Sequence, residues 1–138
     1  MKGTGNVVEM IISEDLSEQA GCEAILRTLD QNLAINGLYC VSDSLALGAY
    51  HALNTRKRAI PRQIAIIGVG DSESSPYYAP PLTCVGVPHA LLHETAAKQL
   101  MTHLNTRNRI NLKTSLDPVV ILRESTGTIQ AQQTSTHH

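Results

Sequence analysis

The apolar positions of this chain fall into two rhythms that alternate along it. Val7-Val8-Glu9-Met10-Ile11-Ile12 is a short apolar run with the length of a strand, and residues 13–17 follow as a polar turn. From Glu18 to Asp30 the period changes. Ala20, Ala24, Ile25 and Leu29 recur at helical spacing, Ser17 stands where a helix needs an N-cap, and Glu18 suits the positive end of the helix dipole. Leu38 to Val41 is apolar and too short for a helix, so it reads as a buried strand. Ser42, Asp43 and Ser44 then offer side-chain oxygens to the first N–H groups of a helix running to about Arg56. Leu45 to Leu53 is apolar on nearly every face, which predicts packing on more than one side.

The second half repeats the alternation. Ile64 to Ile67 is apolar at every position, the mark of a strand covered on both faces. Gly68 to Ser72 forms the loop at its carboxyl end, and residues 72–81 predict loop with one short helical turn. Leu82 to Val85 reads as a strand. His89 to Leu104 reads as a helix in which Leu92, Ala96, Leu100 and Leu104 repeat every four residues. Residues 105–117 are a polar connection and Pro118 to Leu122 is the last strand. Residues 127–138 predict a disordered tail. Strand and helix alternate throughout, so the fold class is α/β with a mainly parallel sheet flanked by helices. In such sheets small ligands bind outside the carboxyl ends of the strands.

Composition narrows this picture. The chain has 138 residues, the length of one domain, and 42% of them are apolar. The four aromatics are all Tyr, so the core is aliphatic. A net charge of −1 argues against a free-standing nucleic-acid-binding module, and the one basic cluster, Arg56-Lys57-Arg58, reads as a solvated helix end. Cys22, Cys40 and Cys84 lack metal-type spacing. Cys40 and Cys84 sit in apolar runs, as reduced thiols of a cytoplasmic protein would. No run is long enough to cross a membrane.

Three stretches resemble one family in order. Ser42-Asp43-Ser44-Leu45-Ala46-Leu47-Gly48-Ala49 is similar to the Asn-Asp-x-x-Ala-x-Gly-Ala turn of the LacI/GalR transcriptional regulators. Ile60 to Asp71, followed by Pro80-Pro81-Leu82-Thr83-Cys84-Val85, resembles a second segment of that family, and Val120 to Thr126 a third. The resemblance implies a periplasmic-binding-protein-like (type I) sensor fold. Residues 6–81 would be most of the C-terminal lobe, 82–105 the strand and helix crossing to the N-terminal lobe, and 118–126 the return strand. Members also carry a helix-turn-helix head and an Arg-x-x-Gly-Phe segment whose Arg grips the effector. Neither is found in this sequence. The crossing segment then has no sheet to pack on, which predicts either association that covers its apolar surface or marginal stability.

The resemblance also nominates a site. Asp71 stands where the family often places an effector-binding acid, the first of the usual pair being replaced by Gly70. A carboxylate at a strand end can accept paired hydrogen bonds from vicinal sugar hydroxyls. The plainer reading of Asp71 is a turn residue. Ser42 matches an effector-contacting Asn, or serves only as a helix cap. Asp43 matches a family Asp and is expected to cap more than to contact. Leu16 takes the place of an aromatic ring that stacks on the effector. Val87 and Leu92 fall where the crossing segment lines the cleft, or are ordinary core. Leu45, Ala49, Tyr50, Leu53, Tyr77 and Tyr78 are the candidates for a homodimer interface.

Enzyme signatures are lacking. Gly68-x-Gly70-Asp71 has neither the further glycines nor the Lys of a phosphate loop, and no Gly-x-Ser-x-Gly elbow exists. His89 and His93 share a helical face, but the order His-x-x-x-His-Glu is not that of a zinc protease, so no metal and no cofactor are expected. The expectation is a sensor of a small molecule, most often a sugar, that controls DNA binding allosterically. The loop is weakly similar to that of sucrose-type repressors. Alternatives are a stand-alone small-molecule-binding domain and an inert remnant of a truncated regulator.

Overall fold

A computed structural model describes residues 8–105 and 113–127 of the chain. The helices are α1 (Glu18–Asp30), α2 (Asp43–Thr55) and α3 (His89–Asn105). The strands are β1 (Gly37–Tyr39), β2 (Ala65–Val69), β3 (Thr83–Gly86) and β4 (Val119–Ile121). Short 3-10 turns cover Ser75–Tyr77 and Glu124–Thr126. The sheet runs β1-β2-β3-β4. The first three strands are parallel, with Leu38 opposite Ile66 and Gly68 opposite Cys84, and β4 is antiparallel to β3, with Cys84 opposite Ile121.

Local chemistry explains the helices. The Ser17 side chain accepts from the Ala20 N–H and the Ser42 side chain from the Leu45 N–H, so both helices begin where a hydroxyl satisfies an orphan donor. Ser42 is the cap of α2, and Asp43 is its first residue. The helices cross at very close range. A Cβ on Gly48 would stand 2.1 Å from the Glu18 carbonyl oxygen, and one on Gly21 would stand 2.8 Å from that of Leu45. Two side-chain-free positions therefore let the backbones touch. α2 packs on the sheet face that presents Ile66 and Gly68, joining Leu53, Leu82 and Cys84 in one core.

Several expectations are corrected. Residues 8–12 form no strand, and Val8, Met10 and Ile12 are 92%, 87% and 76% exposed. A strand exists only through a hydrogen-bonded neighbour, and β1 is flanked by β2 alone among the described strands. Val7 lies outside the described residues, as does most of the tail expected at 127–138. β2 is not buried on both faces. Ile66 and Gly68 are buried while Ala65, Ile67 and Val69 are half-buried, because α1 and α2 stack on one side. Ala49, Tyr50 and Leu53 were interface candidates, but they are 1%, 3% and 0% exposed and belong to the chain's own core. The Tyr50 hydroxyl donates to the Pro80 carbonyl at 2.8 Å, and its ring meets Tyr78 edge-on at 5.1 Å.

Among the described residues α3 contributes nothing to that core. None of its residues is buried, and it makes no extended contact with another element. The apolar stripe expected there stands open, with Leu92, Leu100 and Leu104 at 45%, 60% and 70% exposure.

Candidate effector site at the end of the second strand

The backbone turns sharply where β2 ends. Gly70 has φ 131° and Asp71 has φ 63°, a left-handed conformation that a non-glycine residue holds only when its surroundings enforce it. Two anchors enforce it here. The Gly70 N–H donates to the Val85 carbonyl at 3.0 Å, tying the turn to β3. Asp71 Oδ1 accepts from the Arg123 guanidinium at 2.7 Å, with both side chains largely shielded at 17% and 16% exposure. Arg123 also donates to the Leu82 carbonyl at 2.7 Å. The guanidinium thus bridges the strand-end turn, the start of β3 and the segment after β4. Among the described residues no hydrogen bond reaches Asp71 Oδ2, so one carboxylate oxygen is left to accept from a ligand.

Beneath the turn lies a second carboxylate. Asp43 Oδ2 accepts from the Ser72 N–H at 2.5 Å and from the Ser75 hydroxyl at 3.2 Å, while Oδ1 lies 3.6 Å from the Cys84 thiol. Asp43 is 9% exposed. Its inward orientation depends on Gly68, where a Cβ would stand 2.8 Å from Asp43 Oδ1. Expected to cap the helix more than to contact an effector, Asp43 leaves the cap to Ser42 and holds the 71–75 loop. Burial pushes the Cys84 thiol up, with the nearby Asp43 charge adding to it. Burial first, then Asp43, raises Cys40 to about 12. Both thiols are buried and free, as the sequence implied.

The nominated residues divide accordingly. Gly70, Asp71 and Asp43 gather at the carboxyl end of β2, with Ser42 beside Asp43 in sequence and its hydroxyl engaged by the Leu45 N–H at 3.2 Å. Leu16 is 60% exposed on the turn before α1. Val87 is half-buried just past β3, and Leu92 lies on α3 away from the core. Arg123, Ser72 and Ser75 were not singled out as site residues. Arg123 was legible only as the first residue of the Arg-Glu-Ser-Thr stretch. No group of three or more potential metal ligands occurs among the described residues.

A separate groove of about 660 Å³ runs between α1, α2 and the 3-10 turn, lined by Glu18, Cys22, Leu47, His51, Tyr77 and Tyr78 among others. Tyr77 is 85% exposed at its rim. Tyr78 is half-buried, and Leu45 is partly covered on α2.

The shaped acidic turn lies at the carboxyl end of a parallel strand, the place where small ligands bind in open α/β sheets. The chain belongs to the periplasmic binding protein-like domain family, which matches residues 4–126. Its relatives are regulators of the LacI type. The ribose operon repressor of Haemophilus influenzae is 30% identical over 115 residues, covering 83% of this chain and 35% of the repressor. A PurR repressor of H. influenzae is 32% identical over 112 residues, 79% of this chain and 33% of its own. Among solved structures, a putative LacI-family regulator from Sanguibacter keddieii superposes with a TM-score of 0.77 at 27% identity, over 88% of this chain and 48% of that one. A LacI-family regulator from Enterococcus faecium with bound ribose superposes with a TM-score of 0.75 at 27% identity, over 85% and 42%. The chain spans about a third of the length of these curated relatives. They are transcriptional repressors, not enzymes. No helix among the described residues is long and apolar enough to cross a membrane.

Proposed function

We propose that this chain is the effector-sensing and dimerising portion of a LacI-type transcriptional repressor acting in the cytoplasm, and that its effector is a sugar. The observation that carries the reading is the Gly70-Asp71-Ser72 turn at the carboxyl end of β2, with one carboxylate oxygen open. Vicinal hydroxyls can donate to that oxygen, and a charged acceptor makes the stronger kind of hydrogen bond. Ser42 contributes a hydroxyl from the neighbouring strand end, and Leu16, Val87 and Leu92 offer apolar surface to a sugar face. Asp43 shapes the turn from below. The ribose-bound Enterococcus faecium regulator and the ribose operon repressor support a pentose as the first sugar to try. Residues 6–81 would form the C-terminal lobe, 82–105 the crossing segment and 118–126 the return strand.

Control would work as a population shift. Effector favours one relative tilt of the two lobes of a dimer, and DNA, held by a head outside the matched region, favours another. The homodimer would use the groove between α1 and α2, with Leu45, Tyr77 and Tyr78 from the original candidates and Leu47 and His51 beside them. Cys22 lines that groove, so dimerisation would shield it from alkylation.

The test is a thermal melt followed by circular dichroism, with and without ribose, lactose, sucrose and glucose. A ligand at a hundred times its Kd stabilises by about 2.7 kcal/mol. A shift with one sugar, lost in Asp71→Asn, supports the reading. No shift with any sugar removes it and leaves a dimerising remnant.

A further inference from the structure

Asn36 and Gly37 join the loop after α1 to the first residue of β1, and both are exposed. Among the described residues no hydrogen bond engages the Asn36 side-chain amide. The Asn36 backbone carbonyl accepts from the Ala65 N–H at 3.0 Å, and the Cys40 N–H donates to the Ile67 carbonyl at 2.8 Å. Peptide groups alternate in direction along a strand. Residues 36, 38 and 40 therefore face β2, and the Gly37 N–H is turned away from it. Gly37 is also sterically open. A Cβ built there would meet only the Ala65 carbonyl oxygen, at 3.9 Å.

This placement sets a nucleophile beside an electrophile. A main-chain nitrogen with no side chain crowding it can reach the Cγ of the asparagine before it and close a five-membered ring. The other asparagines among the described residues lack the arrangement. Asn32 precedes Leu33, and Asn54 and Asn105 precede threonines.

We propose that Asn36-Gly37 is a self-modifying site, which loses ammonia through a succinimide in the folded protein and opens to aspartate and isoaspartate, and that the isoaspartyl form unfastens β1. The Gly37 nitrogen bonds to Asn36 Cγ, the Cγ–Nδ2 bond breaks, and ammonia leaves with the Gly37 proton. Water then adds to one of the two imide carbonyls. Cleavage at Cγ restores the main chain and leaves a carboxylate side chain. Cleavage at the former backbone carbonyl sends the main chain through Cβ and Cγ, which lengthens it by one atom. Either product adds a negative charge at the start of β1. Ring closure spares the ladder to β2, because the Gly37 N–H is not part of it. The isoaspartyl product does not spare it. The carbonyl that accepted from Ala65 now hangs from a side branch, and the pairs Gly37–Ala65, Leu38–Ile66 and Tyr39–Ile67 start from a longer chain. β1 has only three residues with which to absorb the change.

The experiment incubates the purified protein at neutral and at mildly alkaline pH and digests it in heavy-oxygen water, which marks any product formed during work-up. Each asparagine peptide is then read by mass spectrometry with electron-transfer fragmentation. The expected result is a gain of one mass unit at Asn36, faster at the higher pH and split between aspartate and isoaspartate, while the Asn32 and Asn54 peptides stay amidated. Gly37→Ala fits the open space, so it is expected to melt within about 2 °C of the parent and to react several-fold more slowly. Asn36→Gln, which would need a six-membered ring, is expected to stay amidated. The isoaspartyl fraction, separated by chromatography, is expected to melt about 2–4 °C below the parent, the equivalent of one lost ladder bond. Asn36→Asp carries the charge on an ordinary main chain and is expected to melt with the parent. An Asn36 peptide that gains mass no faster than that of Asn32 overturns the proposal. So does an unchanged rate in Gly37→Ala, since the attack would then not run through the Gly37 nitrogen. An isoaspartyl fraction that melts with the parent overturns the unfastening of β1.

Discussion

Ser125→Ala tests, through one atom, how the segment after β4 is fastened to the sheet. Ser125 is 0% exposed, and its hydroxyl serves two backbone groups of different strands, Ile66 of β2 and Thr83 of β3. Both of those residues are themselves fully buried. Removing the oxygen deletes two hydrogen bonds and leaves a carbonyl and an N–H in the core with no water to replace it. A buried group left without its partner costs about 1–3 kcal/mol, and the alanine leaves only a small void, so the loss is about 3 kcal/mol. For a domain of this size that lowers Tm by about 6–12 °C. The assay is equilibrium urea unfolding by far-ultraviolet circular dichroism, since the chain has no Trp. Thr126→Ala is the matched control. Its hydroxyl is half-buried and shares the Thr83 hydroxyl at 2.9 Å, so its loss costs about 1 kcal/mol or less. A Ser125→Ala loss below about 0.5 kcal/mol, or one no larger than the control, refutes the reasoning, because a loss that small means the two groups were never dependent on this side chain.

Gly48→Ala is expected to cost about 3 kcal/mol or more, because its Cβ would meet the backbone of Glu18 and Cys22 at 2.1 and 2.6 Å and must pry α1 from α2. A variant that melts within 2 °C of the parent would show the helices do not touch there. At alkaline pH, burial raises Cys40 from its ordinary 9.0 to about 12. The unfolded chain therefore loses that proton first, and the stability it contributes is present below pH 9 and lost as pH rises toward 12. The slope is about 1.4 kcal/mol per pH unit. Cys40→Ala should unfold less steeply with pH across that window, as read by urea midpoints, and an unchanged slope would contradict the burial of the thiol.

How far the sequence could be read depended on the range of the forces involved. α1 was legible to the residue because Ser17, Glu18 and the Ala20–Leu29 spacing act within one or two turns. The start of α2 was legible for the same reason. Residues 8–12 looked like a strand by the same apolar content that marks residues 64–67, yet pairing is a tertiary matter, and among the described residues only the latter segment, within β2, has strand neighbours. The strand end holding Asp71 was legible, because a polar turn after an apolar run marks a strand's carboxyl end. The partner that occupies half of Asp71 was not. Arg123 lies 52 residues away, and no local pattern links them. Asp43 misled for a similar reason. An acid at the start of a helix reads as a cap, whereas the inward orientation of Asp43 depends on the missing Cβ of Gly68 on another strand.

The central claim, that the β2 strand end receives a sugar, is tested most directly by titrating 15N-labelled chain with ribose and following its amide resonances. The account predicts saturable shifts at Gly70, Asp71, Ser72 and Ser42, with the Arg123 side-chain signal moving in step and all of them lost in Asp71→Asn. If ribose and the other sugars leave those amides unmoved, or shift residues of the groove between α1 and α2 instead, the strand end is not the effector site.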